Sequence, residues 1–511
     1  MSLRAKSFDV LPALSVGGRE LRSSLRRVTV AWMFGIVWMS SITGSAMTSF
    51  LRLLGFEEYE FGIFAAIPYA ATLSQLYAAA YVERTGVRKW HFIYYAVAHR
   101  LMWLVLAAVP LVLGSGKPVA YAFLGLYLFS VMLAHVSTPS WWNWMGNLIP
   151  RRIRGRYFSV RTLWTVPVQM LVVTTVGLIL DQVTTPNVRI RIDTQPPALL
   201  WTISAIFVAG AICGTIDILL FLRLREIATP SISQTTAPQR GTLHNVYRSL
   251  VEPVRSVAAA FRDRVFRHYA LYGATILFSQ IVCDQFFWLH AREKVGFSNL
   301  QTNFVFMVIG PAAAMAMARP WGRLIDRWGR RPVLFMATLG VIFSTVPWFL
   351  MMPGGEPEHL VANFALASLG CIVGGASWSG VALAQTTIMI GFSESEGRTR
   401  YMAAAAVVAA IGGLLGGLAG GFISSTFKNL FADWGVSGFQ VGPFLWNQYH
   451  MTFLASSIMR ALAILWLIGM PDPGAKPIAD VMRYIRVNVY SNVKTLLLGT
   501  FRPFLRPGDE D

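Results

Sequence analysis

Four ionisable side chains stand inside long apolar runs of this chain, where a charge is costly enough to need a reason. They are Arg100 in HRLMW, Asp284 in VCDQFFW, Arg460 in SIMRALA and His135 in LAHVSTPSWW. An aspartate so placed can carry a proton or pair with an arginine, and an arginine can hold an anionic group. The plain alternative for each is a buried ion pair or a residue at a cavity rim, and for His135 a satisfied packing histidine. A fifth feature is a knot of charge, GRLIDRWGRRP from Gly322 to Pro332, with apolar sequence on both sides. Dense charge between two apolar segments marks a short connection at a membrane surface, or a device that works there.

The elements that must position these residues follow from composition. The 511 residues are 55% hydrophobic and 14% charged, with a mean hydropathy of +0.51, whereas soluble domains carry about 25% charged residues. Apolar runs long enough to cross a hydrocarbon layer of roughly 30 Å recur along the whole chain. About twelve spans are expected, near 29–51, 60–82, 90–113, 119–147, 158–180, 199–222, 268–290, 300–319, 332–352, 360–391, 400–426 and 448–470. The fourth and tenth exceed a straight crossing, so they tilt, kink or project, and Pro139 supplies a kink in the fourth. The basic segment up to Arg27 leads into the first span without a cleavage signature.

The net charge of +19 is distributed for topology. Roughly 35 of the 44 Lys and Arg fall on the side that carries both ends of a twelve-span chain, the bias expected of cytoplasmic segments. This places both termini in the cytoplasm and the protein in the cell membrane, the inner membrane if the source is Gram-negative. The same distribution argues against nucleic acid and for contact with anionic lipid. Cys213, Cys283 and Cys371 all lie in spans at no metal-ligand spacing, so no disulfide framework and no metal are expected.

The chain divides into a basic N-tail (1–28), six spans (29–222), a cytoplasmic linker with an amphipathic helix (223–267), six more spans (268–470) and a basic C-tail (471–511). The two sets of spans echo each other. AAYVERTGVRK aligns with GRLIDRWGRRP at an offset of 243, setting Glu83 on Asp326, Arg84 on Arg327, Gly86 on Gly329 and Arg88 on Arg331. RGRYF from Arg154 aligns with RTRYM from Arg398 at an offset of 244. Parallel repeats of this kind build transport sites at the interface between halves. In the eleventh span, GGLLGGLAGG forms two adjacent ridges, Gly412, Gly416 and Gly420 beside Gly413, Gly417 and Gly421, which let helices meet backbone to backbone.

GRLIDRWGRRP resembles the loop signature of the major facilitator superfamily, G-x-x-x-D-R-x-G-R-R, found after the second and eighth spans. Gly322, Asp326, Arg327, Gly329, Arg330 and Arg331 match every defining position. The first copy departs from it, with Ala79, Glu83 and Val87 at three of them. The resemblance implies an all-α membrane fold of twelve transmembrane helices in two pseudo-symmetric six-helix bundles. It implies a secondary active or facilitative transporter that moves a small solute by alternating access, with or without a coupled proton. It further implies that Asp326 latches the cytoplasmic side against the start of the fifth span, near Arg154 to Tyr157. Glu83 would do the same against the eleventh, near Arg398 to Tyr401. Gly322 would permit close helix approach, and a carboxylate near a helix N-terminus would be favoured.

Other classes fit less well. GASWSG, Gly375 to Gly380, has a serine between glycines but no paired histidine, and H-E-x-x-H is absent, so no enzyme and no cofactor are expected. A non-transporting sensor or accessory membrane protein of the same fold is the alternative. The protein is expected to act as a monomer. The tryptophans of WWNWMGNLIP, Trp141, Trp142 and Trp144, read first as an interfacial belt and second as a cavity lining for an apolar or aromatic solute.

Overall fold

The structure, a computed structural model, describes residues 18–75, 78, 81, 88–150, 153–185, 188, 190–224, 258–354, 356–393, 398–470, 472 and 475. Glu83, Arg84 and Gly86 lie outside the described residues, as do most of the linker and the C-tail.

Helix α1 (Gly18–Ser41) begins ahead of the first apolar run and bends by 42° at Ile42–Thr43 into α2 (Gly44–Leu53). Helix α3 (Glu58–Ala71) opens with a reciprocal cap between Glu57 and Glu60. It covers the first part of the second expected span. Helices α4 (Lys89–Leu113), α5 (Lys117–Leu148), α6 (Arg154–Val183) and α7 (Pro197–Leu220) complete the first half. In the second half α8 (Arg264–Glu293) is the seventh span, started by the Asp263 side chain, which accepts from the backbone N–H of Val265 and Phe266. The eighth span is a composite: α9 (Asn299–Phe304), a π-helical turn (Val305–Ile309) and α10 (Gly310–Trp328). The ninth is broken into α11 (Arg330–Phe343) and α12 (Val346–Phe349). Long helices α13 (Pro357–Ser393) and α14 (Arg398–Asp433) follow. A short antiparallel hairpin, β1 (Phe439–Val441) on β2 (Phe444–Trp446), leads into α15 (Gln448–Ile468).

Among the described residues, ten helices are long and apolar enough to cross a membrane, or eleven if the bent α1–α2 pair counts as one span. The fold is that of an all-α membrane protein.

The repeat seen in sequence is a repeat of packing. The first helix of each half packs on the fifth and sixth, the third on the fourth and sixth, and the second on the fourth. Hence α1 lies on α6 and α7 as α8 lies on α14 and α15, and α4 lies on α5 and α7 as α11 lies on α13 and α15. Across the halves, α3 packs on α14 and α6 on α9, again a symmetric pair. Local bonds repeat too. The Tyr157 hydroxyl donates to the Leu25 carbonyl of α1 at 3.3 Å, and the Tyr401 hydroxyl donates to Asp263 at the start of α8 at 3.3 Å.

Two faces can now be distinguished. The basic face carries the start of α1, the turn at Gly329 and the end of α15. The distal face carries the turns near 54–57, 114–116, 294–298 and 434–447.

Two local expectations are corrected. Gly322 is not a point of close helix contact: a Cβ there would meet only a Leu383 methyl at 3.9 Å. Close approach falls instead at Gly310, whose carbonyl sits where a Gly375 Cβ would be. Asp326 is likewise not at a helix N-terminus, because α10 runs on to Trp328 and Asp326 lies in its last turn.

Candidate functional site

At the distal face the halves are joined by buried charge. Arg52, at the end of α2, is 4% exposed. Its Nε donates to Glu293 of α8 at 2.6 Å, and its Nη2 reaches Glu293 at 3.2 Å and Glu58 at 3.1 Å. Nη1 donates to the Phe56 carbonyl at 2.8 Å, and the guanidinium lies over the Phe61 ring. The Tyr449 hydroxyl of α15 donates to Glu293 at 2.7 Å and accepts from Arg52 at 3.1 Å. Lys428 of α14 pairs with Glu58 at 2.6 Å and with Glu57. Charges this deep persist only when each finds partners. Here most of those partners stand on the opposite half.

A second cross-half contact lies beside it. Asp181 of α6 accepts from the backbone N–H of Asn299 at 2.6 Å and of Leu300 at 3.0 Å, capping α9 of the other half. Unpaired N–H groups at a helix start favour an anion there. Buried Asn303 accepts from the Ser45 N–H and donates to the Val173 carbonyl, joining α2 and α6 to the C-terminal half.

The two glycine ridges of α14 separate by partner. Gly412 and Gly416 face α8 within their own half, where a Cβ would lie 2.5 Å from the Ala274 carbonyl oxygen or 2.8 Å from that of Phe278. Gly420 abuts the Val282 carbonyl in the same way. Gly413, Gly417 and Gly421 face α3 of the other half. A Cβ at Gly417 would lie 2.6 Å from the Ala66 nitrogen, one at Gly421 would lie 2.9 Å from the Gly62 Cα, and one at Gly413 would enter the Tyr69 ring. Gly62 completes this seam and was not singled out in the sequence, because it stands alone on its helix.

At the basic face the knot of charge works within its own half. Gly329 turns the chain at φ +96°, a left-handed conformation that suits glycine. Asp472, just past α15, accepts from the N–H of Arg330 and Arg331 at 3.0 Å each and so caps α11. Arg331 donates in return to the carbonyls of Leu467 and Ile468 at the end of α15. Lys89 does the same in the first half, donating to the carbonyls of Leu222 and Leu224 at 2.8 Å. Asp326 and Arg327 are exposed and line a cleft of about 560 Å³ with Arg330, Thr387 and Asp472. Arg88 is half-buried immediately before α4.

The intramembrane residues are dispersed. Asp284 on α8 is exposed, within electrostatic reach of Tyr69 on the other half and of Arg460. Arg460 is 3% exposed and donates to the Val341 carbonyl at 2.7 Å, where the ninth span breaks. Its Nη2 lies 3.7 Å from the Cys283 sulfur. These are structural partners within one half. Arg100 pairs with Asp217 of α7 at 3.7 Å and lies over the Trp38 ring at 3.4 Å. His135 is half-buried, within hydrogen-bonding reach of the Pro68 backbone. The three tryptophans part company: Trp144 is buried, Trp142 exposed and Trp141 half-buried. All three cysteines are free. Asp217, Arg52, Glu58, Glu293 and Lys428 were missed. All but Asp217 stand at helix ends, where charge reads as ordinary loop, although the run LRLLGFEEYE held the signal.

This architecture has counterparts. The chain matches the family described as Major Facilitator Superfamily over residues 33–390 and belongs to it. It is a membrane transporter. Among solved structures, the inward-open xylose transporter XylE from E. coli superposes with a TM-score of 0.57 at 14% identity, covering 91% of this chain and 99% of that one. The nucleoside transporter NupG gives 0.56 at 12% identity, over 87% and 98%. A bacterial homolog of the human lysosomal transporter Spinster, inward-facing and unoccupied, gives 0.59 at 14% identity, over 89% and 98%. Among curated proteins, none matches the chain in sequence.

Proposed function

We propose that the protein moves a small solute along the seam between its halves by alternating access, and that the described conformation is the one closed at the distal face. The observation that carries this is the placement of the cross-half bonds. Arg52–Glu293, Arg52–Tyr449, Lys428–Glu58 and Asp181–Asn299 all lie toward that face. With the basic face cytoplasmic, as the charge bias supports, this is an inward-facing state in the cell membrane. The units are the two bundles, 29–222 and 268–470, working as a monomer, with Asp326 and Glu83 as basic-face latches that engage in the opposite state.

Asp284 is the coupling group in this reading: a carboxylate in a span, exposed, and within electrostatic reach of Tyr69 across the seam. A proton taken there would alter the attraction to Arg460 and hence the balance between the two states. Reconstituted vesicles test it. Uptake of a panel of small solutes is measured with and without an imposed pH gradient, for the wild type and Asp284→Asn. The gradient should drive accumulation by the wild type and fail to do so in the variant. Gradient-driven accumulation that survives the substitution refutes the role of Asp284.

A further inference from the structure

The N-terminal half carries a cluster of nitrogen donors that the transport reading does not use. Arg161 of α6 is half-buried, its guanidinium carbon 5.0 Å from the ring centre of Trp32, 5.9 Å from Trp141 and 4.8 Å from Phe158. Behind it stands Asp217, 3% exposed, on which both Arg161 and Arg100 act electrostatically. Two glycines let these side chains pack against the helix backbones. A Cβ at Gly35 would lie 2.7 Å from the Asp217 Oδ2 and 3.2 Å from Trp32, and one at Gly214 would lie 2.7 Å from both Arg100 and Trp38.

Donors outnumber acceptors here. Arg161 Nε and Nη1, Arg100 Nε and Trp38 Nε1 are buried atoms with no hydrogen-bond partner among the described residues. Two guanidiniums face one carboxylate, which leaves one positive charge. Buried donors without acceptors are costly, and an intramembrane charge without a partner more so. A ligand that supplies one negative charge and two acceptor atoms would neutralise that charge and give the Arg161 guanidinium acceptors. A planar carboxylate matches the fork of a guanidinium. The flanking indole rings suit a flat apolar body that lies along them. The second half has no equivalent: at the repeat offset of 244, Ala405 stands where Arg161 does, and at 243, Arg460 stands where Asp217 does.

We propose that this cluster is a binding site for a monovalent organic anion with an aromatic body, its carboxylate at Arg161 and its ring against Trp32 and Trp141. The proposal rests on the reading that the space between the halves is the substrate path, and it narrows that substrate to aromatic carboxylates.

Binding is measured on the full chain in detergent, by calorimetry and thermal stability, with benzoate, benzamide, acetate and inorganic phosphate as probes. Benzoate should bind and raise the melting temperature in a concentration-dependent way. Neutral benzamide and ringless acetate should each bind at least tenfold more weakly, and phosphate no better than acetate. Arg161→Gln should weaken benzoate at least tenfold. Should that variant fail to fold, Arg161→Lys keeps the charge without the fork and should weaken benzoate severalfold. Equal affinity for benzamide, a preference for phosphate, or undiminished benzoate binding in the Arg161 variants overturns the assignment. The measurement needs no transport, so failed pH-driven uptake alongside intact benzoate binding would tell against the coupling reading alone.

Discussion

Glu293→Gln tests whether the buried charge at the distal face is a gate. The side chain keeps its size but loses its charge, and Arg52 retains Glu58, a partner within its own half, at 3.1 Å. Each half should therefore fold as before. What disappears is specific to the closed state: the charge-assisted Arg52 contacts to Glu293 at 2.6 and 3.2 Å. The Glu293 side chain is 14% exposed and that of Arg52 3%, so solvent screens the pair little. Hydrogen bonds to charged groups contribute about 1.5–3 kcal/mol each. The remaining amide recovers part of that, and a net loss of about 2 kcal/mol is a roughly thirtyfold shift in a two-state balance. The sign is fixed, because these bonds exist only while the halves meet, so opening at the distal face must increase. Thr48, one turn before Arg52 on α2 and 4% exposed, is a suitable reporter when changed to cysteine in a background lacking Cys213, Cys283 and Cys371. Alkylation at that cysteine should accelerate by ten- to thirtyfold in the Glu293→Gln background. An unchanged rate in a folded, membrane-inserted protein would mean that the cluster contributes equally to both states and gates nothing.

The two ridges of α14 should respond differently to one added methyl. Gly417→Ala crowds Ala66 of the other half, so it should open the distal face, accelerating the same reporter with little change in melting temperature. Gly416→Ala crowds the Phe278 carbonyl within one half and should lower stability by about 1–3 kcal/mol, read as a depressed melting temperature. At the basic face, Asp472→Ala removes the cap of α11 and should cost about 1 kcal/mol of thermal stability. Asp326→Asn, at an exposed side chain in this state, should leave the melting temperature unchanged while raising the reactivity of a cysteine placed in the basic-face half of the path.

Much of the architecture is legible in the sequence because a bilayer imposes length and apolarity on every crossing. Runs of about twenty apolar residues must be helices there, since no other backbone satisfies its own hydrogen bonds. The repeat is legible for a related reason: RGRYF and RTRYM stand at the starts of α6 and α14, and the tyrosine bonds they carry recur in both halves. Glycine spacing in GGLLGGLAGG likewise dictates two smooth ridges whatever they meet.

What the ridges meet, and which charges meet each other, is decided by folding. Asp326 has the motif of a latch, yet Asp472, far along the chain, caps the helix that follows it. Asp181 supplies the N-terminal carboxylate that local sequence suggested for Asp326, and it does so for a helix of the other half. Arg460 has the composition of an anion site, but its Nη1 is spent on a helix break and its Nη2 faces Cys283. Arg52 sits 241 residues from Glu293, and no local pattern links them. A hydrophobic period or a span length is a property of neighbouring residues, so the sequence carries it directly. An ion pair or a contact between halves depends on the relative placement of two bundles, which only the packed tertiary structure sets.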